Sequence, residues 1–174
     1  MNNRIINIYN FRCPRWDDLP DNIASSEIIE YFKEEFSDIF LDDDLLTKTM
    51  IQNYVKWKMV PAPTGRKYNR EQIAIIIVIC IFKQVLSIKE IVDGVYLQNK
   101  LMEIPMAYNI LAEKIEKAIK SIFGPIINND KENIYFEKYI ANTEDVGISS
   151  LVISFTFKLL TSIIIQERGF KSLI

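Results

Sequence analysis

The sequence predicts an all-α, mainly helical protein, and three observations favour this class. The 174 residues include only five glycines and six prolines, so connections between elements should be short. Apolar residues recur at spacings of three and four in several segments, as on the buried side of a helix. Apolar residues make up 49% of the chain and charged residues 25%, which is typical of a globular protein with a core.

The N-terminal residues 1 to 24 are expected to form a short extended arm or strand followed by an irregular segment. A first helix is predicted from Ser25 or Ser26. Its helical stripe consists of Ile28, Ile29, Phe32, Phe36, Ile39 and Phe40. An acidic turn, Asp42–Asp44, should follow this helix. Between Glu27 and Asp44 there are eight acidic residues against one lysine, so charge is segregated along the chain.

A second helix is predicted from Thr47, which can cap its N-terminus, to about Lys58. Its buried stripe should contain Ile51, Val55 and Met59, with Met50 and Tyr54 beside them. The opposite side carries Lys48, Thr49, Gln52, Asn53 and Lys56. Such a face combines cations that attract phosphates with amides that can pair with a base edge.

The chain then turns at Val60–Gly65, because Pro61 and Pro63 cannot continue a helix. A basic, hairpin-like excursion through Arg66, Lys67 and Tyr68 leads to Asn69, which forms a predicted capping box with Gln72. Helix, prolyl turn, basic excursion and capped helix are the layout of a winged helix-turn-helix with a short wing. Arg70 adds positive charge at the start of the last helix.

Two more helices are predicted in this region. Residues 71 to 85 are apolar on every side, and their β-branched content alone would suggest a strand. The length of the run and the capping box at its start favour a central buried helix. Ser87 with Glu90 forms a capping box for the next helix. A winged helix-turn-helix DNA-binding head, together with the N-terminal arm, is therefore expected to span residues 1–104.

Residues 105–174 are predicted to form a helical dimerisation or effector region. One helix should run from Ala107 to Phe123 and stop at Gly124-Pro125. Another should run from Val146 to Arg168. Its fifteen-residue apolar core, with Lys158 in the middle, is shorter than a bilayer span, so we expect it to be buried and to lie in a dimer interface or in the core.

Two family resemblances are carried by these residues. TMIQNYVKWKMVPAP followed by RKYNREQIAIIIVICIFKQVLSIKEI resembles the DNA-binding head of MerR-type regulators. The resemblance aligns Gln52, Asn53 and Tyr54 with that family's Arg-Tyr-Tyr, and Arg66 and Tyr68 with its Arg-x-Tyr wing. It also aligns LSIKEI, residues 86–91, with the helix that follows. From residue ~20 to ~110 the chain is also similar to a bacterial family called domain of unknown function 1836.

The predicted function is therefore a MerR-like DNA-binding transcriptional regulator. Between Asp44 and Glu71 there are six cations and no acidic residue, although the net charge of the whole chain is −2. The expected DNA-binding residues are Lys48, Thr49, Gln52, Asn53, Tyr54, Lys56, Arg66, Lys67, Tyr68 and Arg70. The expected partner is double-stranded DNA, bound by a homodimer, because symmetric half-sites favour a two-fold protein. A small apolar effector could bind the C-terminal region, and no membrane association is expected.

Enzymatic activity is not expected, and neither is a cofactor or a metal site. The chain has no histidine, the commonest general base, and no glycine-rich phosphate loop. Cys13 and Cys80 form no metal-binding or redox motif, and free thiols suit a cytoplasmic location. The alternative function is a helical protein–protein interaction module with a degenerate winged helix.

Overall fold

The computed structural model describes residues 3–41, 45–128, 133–136, 139 and 141–172. Within these ranges there are seven α-helices and one two-stranded sheet, which confirms the mainly helical class. The predicted acidic turn at Asp42–Asp44 lies outside the described residues.

The elements follow one another with short connections. The helices are α1 (Asn3–Asn10), α2 (Ser25–Phe36), α3 (Lys48–Lys56), α4 (Arg70–Phe82), α5 (Ile88–Leu101), α6 (Ile104–Ile127) and α7 (Val146–Gln166). The strands are β1 (Ile23–Ala24) and β2 (Lys67–Tyr68), which pair antiparallel.

The chain divides into two compact units. The central unit is Pro14–Ile110, and the terminal unit combines Met1–Cys13 with Leu111–Ile174. The arm expected to be extended is instead the helix α1, whose buried Ile5 and Ile8 lie three residues apart on one side. This burial belongs to the terminal unit, so its partners come from the far end of the sequence.

The core of the central unit is built on α2 and α4. On α2, Phe32 stacks on Phe36 with ring centroids 5.1 Å apart and meets Phe40 edge-on at 5.0 Å. Helix α4 is buried on nearly every side, as its continuous apolar run predicted. The capping boxes predicted at Asn69 and Ser87 are both present.

In the terminal unit, Glu116 of α6 fixes the end of the N-terminal segment. Its Oε1 accepts a hydrogen bond from the backbone N–H of Cys13 at 3.0 Å, and its Oε2 pairs with Arg12 Nη1 at 3.4 Å. The carboxylate is almost fully covered, so these donors replace the water it would otherwise bind.

Helix α6 does not stop at Gly124-Pro125 as predicted. It continues through Pro125 to Ile127, and the N–H of Asn128 still donates to the carbonyl of Gly124 at 3.1 Å. A proline in the last turn removes only one backbone bond, and the burial of Ile126 favours the helical path. Packing therefore outweighs the local stop signal.

Helix α7, predicted from Val146 to Arg168, spans Val146–Gln166 and so ends two residues earlier than predicted. Among the described residues it is the helix that is long and apolar enough, by length and composition alone, to cross a membrane, and 39% of its most apolar window is buried. Core helices of soluble proteins meet the same test. On its buried side the hydroxyl of Thr156 donates to the carbonyl of Val152 at 2.7 Å, which satisfies a polar group inside the core.

Asp145, which directly precedes α7, connects the start of this helix to α6 and to the preceding turn. Asp145 Oδ2 accepts from Lys114 Nζ at 2.7 Å, and its Oδ1 accepts from the Asn142 N–H at 3.0 Å and the Ser149 hydroxyl at 3.1 Å. Hydrogen bonding to Lys114 is the largest of several causes that lower the pKa of this carboxyl.

We expect the stability of the protein to depend on pH through Asp145. A lowered folded-state pKa means that the contribution is present above the ordinary value of 3.8 and is lost as pH falls through the folded-state value. Thermal unfolding of the wild type and of Asp145→Asn is followed from neutral pH downward. The difference in melting temperature between the two should shrink as the pH falls below 3.8. A difference that stays constant with pH would contradict this role.

Candidate nucleic-acid interface

Helix α3 has a covered side and a polar side. Thr47 caps it, with its hydroxyl accepting from the Met50 N–H at 3.3 Å, as predicted. Ile51 and Tyr54 are buried, whereas Val55, predicted in the same stripe, is half-buried. These contacts set the rotation of the helix and therefore which residues face outward.

The outward side carries the polar residues predicted there. Lys48, Gln52 and Lys56 are exposed and follow one another at four-residue spacing, with exposed Thr49 beside them. At 3.6 residues per turn these four positions fall within an arc of about 100°. Asn53 lies about 40° beyond the edge of this arc and is half-buried. Gln52 is therefore the amide nearest the centre of the exposed face.

Buried Gln72 holds the turn that follows α3. Its Nε2 donates to the carbonyls of Pro61 and Ala62, each at 3.0 Å, and its Oε1 accepts from the Asn69 N–H at 2.8 Å. One side chain thus uses both amide donors and its acceptor on backbone groups at the two ends of this segment. The prolyl turn is thereby tied to the start of α4.

The basic excursion after the turn is a tight bend. The N–H of Lys67 donates to the carbonyl of Thr64 at 3.2 Å, and Gly65 adopts φ +64 at the first central position. That conformation suits glycine because it has no Cβ. The returning strand β2 pairs with β1, where Tyr68 lies opposite Ile23. The exposed side chains of Arg66 and Lys67 thus extend from a bend that is fixed at its base.

Tyr54 and Tyr68, both expected to contact DNA, are covered by the fold. Tyr54 is 3% exposed and Tyr68 7% exposed. Burial, together with charge interaction and a hydrogen bond with Cys80, raises the pKa of Tyr54. Burial raises the pKa of the Cys80 thiol to about 12 and also raises the pKa of Tyr68. Neither tyrosine belongs to the exposed surface expected of a DNA contact, because each packs into the core.

Arg70, the last of the expected cations, interacts with two acidic residues. Its Nη1 lies 3.6 Å from Asp17 Oδ1, and its backbone N–H donates to Asp21 Oδ1 at 2.8 Å. Its side chain is only one-third exposed, at 33%. Arg70 therefore helps to join the segment before α2 to the start of α4, and its charge is partly compensated.

The other five cations of the stretch remain exposed. They are Lys48, Lys56, Lys58, Arg66 and Lys67. Within the part of the chain that the structure describes, none of them forms a salt bridge. We call these five residues the cationic set. Because no carboxylate neutralises them, they can attract phosphates.

Two residues of this surface were missed as candidates from the sequence. Trp57, which ends α3, is 53% exposed, and Lys58 beside it is exposed with φ +57. The available signal was an aromatic residue between two lysines at the end of a helix.

The described residues contain no group of three or more Cys, Asp and Glu side chains that could hold a metal ion. The surface around α3 and the bend offers cations, an amide and an indole. These groups can bind an anionic polymer, and they include no nucleophile with an adjacent base.

The fold and this surface define a small helical protein whose central unit carries five exposed cations, without salt bridges among the described residues, on α3, its end and the following bend. The chain belongs to the family described as Domain of unknown function (DUF1836), which matches residues 14–111. This match agrees with the family resemblance seen in the sequence and covers the whole cationic set. Comparisons with curated proteins and with solved structures found no match.

We expect Gln72→Glu to destabilise the central unit. A carboxylate cannot donate to the carbonyls of Pro61 and Ala62, so two acceptors would face a negative charge, at a cost of roughly 1–3 kcal/mol. Denaturant unfolding would measure the loss. Gln52→Glu is the matched control, because that side chain is exposed, and it should change stability little. Equal losses in the two variants would show that the bonds of Gln72 do not hold the turn.

Proposed function

We propose that this protein is a DNA-binding transcriptional regulator with a winged helix-turn-helix head of MerR-like type. The observation that supports this best is the cationic set, which lies unpaired on α3, its end and the following bend. A protein with a net charge of −2 gains no general attraction to nucleic acid, so a local surface must supply it.

In this proposal α3 is the recognition helix. Gln52, at the centre of its exposed face, donates and accepts hydrogen bonds at the major-groove edge of adenine. Lys48 and Lys56 on either side bind phosphates and fix the register, and Thr49 adds a hydroxyl donor. Asn53, beyond the edge of the face, makes a secondary base contact.

The bend after the prolyl turn acts as the wing. Arg66 and Lys67 bind the sugar–phosphate backbone or the minor groove, and the pairing of β2 with β1 holds them in place. Arg70 contributes long-range attraction only, since its guanidinium is paired with Asp17. The wing therefore adds affinity that does not depend on sequence.

The order of elements supports the MerR-like class. Helix α3, the prolyl turn, the Arg66–Tyr68 strand segment, α4 and the capped start of α5 follow in the order that the resemblance implies. The capped start at Ser87–Glu90 coincides with the Ser-x-x-Glu motif of that resemblance.

We further propose that the regulator is a cytoplasmic homodimer that pairs through its terminal unit and binds two half-sites. The outward side of α7 supports this, because its exposed residues are uncharged, as is usual in the core of an interface. These residues are Val146, Gly147, Ser150, Ser154, Phe157, Thr161, Ile165 and Gln166, and Lys158, the one charged residue of the helix, is half-buried. A small apolar effector would bind in the same unit.

A protein-binding function is the second candidate, and α5 favours it. Tyr96, Leu97 and Leu101 on this helix are all more than half exposed, and so is Met106 at the start of α6. Exposed apolar residues in such number often mark a docking surface for another protein. A module of this kind would show no affinity for duplex DNA at any salt concentration.

We expect salt to weaken duplex binding steeply. If the five residues of the cationic set each neutralise one phosphate, log affinity should fall against log salt with a slope of about −4.5 for each head. Affinity should then drop by roughly 10²- to 10³-fold between about 50 and about 200 mM salt. Fluorescence anisotropy with short random-sequence duplexes would measure the slope, and an absence of binding at low salt would reject the proposal.

We expect the double change Arg66→Ala with Lys67→Ala to weaken binding to all duplexes alike. It removes two phosphate contacts, so the salt slope should fall in magnitude by about 2. Lys120→Ala with Lys171→Ala removes the same charge from exposed positions of the terminal unit and serves as the control. If the two double variants lost the same duplex affinity, the loss would come from the change in net charge and not from contacts of Arg66 and Lys67.

We expect Gln52→Ala to relax sequence discrimination. Loss of a bidentate contact to a base should cost about 1–3 kcal/mol on the preferred duplex and little on random duplex. Asn53→Ala should have the smaller effect, because that side chain is half-buried. The preferred duplex would first be selected from a random pool. If Gln52→Ala lost the same affinity for the preferred and the random duplex, Gln52 would not take part in base recognition.

A further inference from the structure

Helix α3 ends in a Schellman motif that contains a lysine where glycine is usual. The N–H of Lys58 donates to the carbonyl of Val55 at 3.0 Å, and the N–H of Met59 donates to that of Tyr54 at 2.9 Å. Lys58 has φ +57, in the left-handed region where a Cβ crowds the following carbonyl. The backbone at this position therefore favours glycine.

The end of α7 repeats this motif in the terminal unit. The N–H of Arg168 donates to the carbonyl of Ile165 at 3.1 Å, the N–H of Gly169 donates to that of Ile164 at 2.9 Å, and Arg168 also has φ +57. Both cations lie at a helix C-terminus, where the helix dipole favours positive charge. Any structural benefit or cost of a cation in this conformation is therefore present at both sites.

The two sites differ in their surroundings. Lys58 follows Lys56 and the half-exposed indole of Trp57, and it belongs to a stretch of 24 residues, Thr47–Arg70, that contains no acidic side chain. Arg168 directly follows Glu167 and ends an almost uncharged helix. Among the described residues neither Lys58 nor Arg168 has a salt-bridge partner, so the two sites differ in the charge of their sequence neighbours.

We infer that Trp57 and Lys58 form a contact site for the sugar–phosphate backbone of duplex DNA, at the end of the recognition helix. The inference rests on the proposed function and adds two residues to its interface. Lys58 supplies the charge that binds a phosphate oxygen. The indole of Trp57 packs its apolar face on a deoxyribose and can donate its Nε1–H to the same phosphate.

The test compares Lys58→Gly with Arg168→Gly. Both variants should unfold at the wild-type temperature or above it, because glycine relieves the left-handed strain at either site. Only Lys58→Gly should bind short random-sequence duplexes more weakly, by about fivefold to tenfold at low salt, with a salt slope reduced in magnitude by about 1. A gain in stability with a loss of binding cannot come from damage to the fold.

Trp57 provides a second measurement. In a Trp16→Phe background it is the only tryptophan, and its emission should be quenched as the duplex is added. Trp16 packs edge-on against Tyr108 with centroids 6.3 Å apart, so the melting temperature of this background is checked first.

Each outcome bears on a defined claim. Wild-type affinity and slope in Lys58→Gly, or unchanged Trp57 emission, would overturn the contact site while salt-dependent binding by the wild type still supports the regulator. Equal losses in the two glycine variants would also overturn the site. No duplex binding by the wild type would overturn both the site and the regulator.

Discussion

The hydrogen bonds of Gln72 are the constraint on which the candidate interface depends. This one amide, buried at the start of α4, holds the carbonyls of Pro61 and Ala62 and the N–H of Asn69. The two prolines end α3 but do not determine where the chain goes next. Since Gln72 fixes both sides of the bend, the direction of Arg66 and Lys67 relative to α3 follows from a contact inside the fold.

In the central unit, one side of α3 packs into the core and the other side carries exposed charged and polar residues. Tyr54 and Cys80 interact in the core, and burial keeps the Cys80 thiol protonated by raising its pKa to about 12. Lys48, Gln52 and Lys56 on the other side of α3 contribute little to packing, because they are exposed. Their identity is therefore free to serve binding, which is what a recognition helix requires.

Much of the candidate site followed from local pattern, and the exceptions share one cause. Helical spacing assigned Lys48, Gln52 and Lys56 to the outward side of α3, where they lie. Tyr54 and Tyr68 were expected as DNA contacts, although Tyr54 also lies beside the predicted buried stripe of α3. Tyrosine suits both a core and a phosphate contact, and the choice depends on neighbours such as Cys80. Arg70 pairs with Asp17, 53 positions earlier in the chain, which no spacing rule could indicate.

The sequence by itself determined the helical class, the caps at Thr47, Asn69 and Ser87, and the acid-free stretch, because each depends on residues within one or two turns. Only the tertiary structure decided that α1 is a helix, that α6 passes through Pro125, and which tyrosines are covered. These outcomes depend on burial against segments distant in sequence, and burial of several apolar side chains outweighs a local preference of about 1–3 kcal/mol.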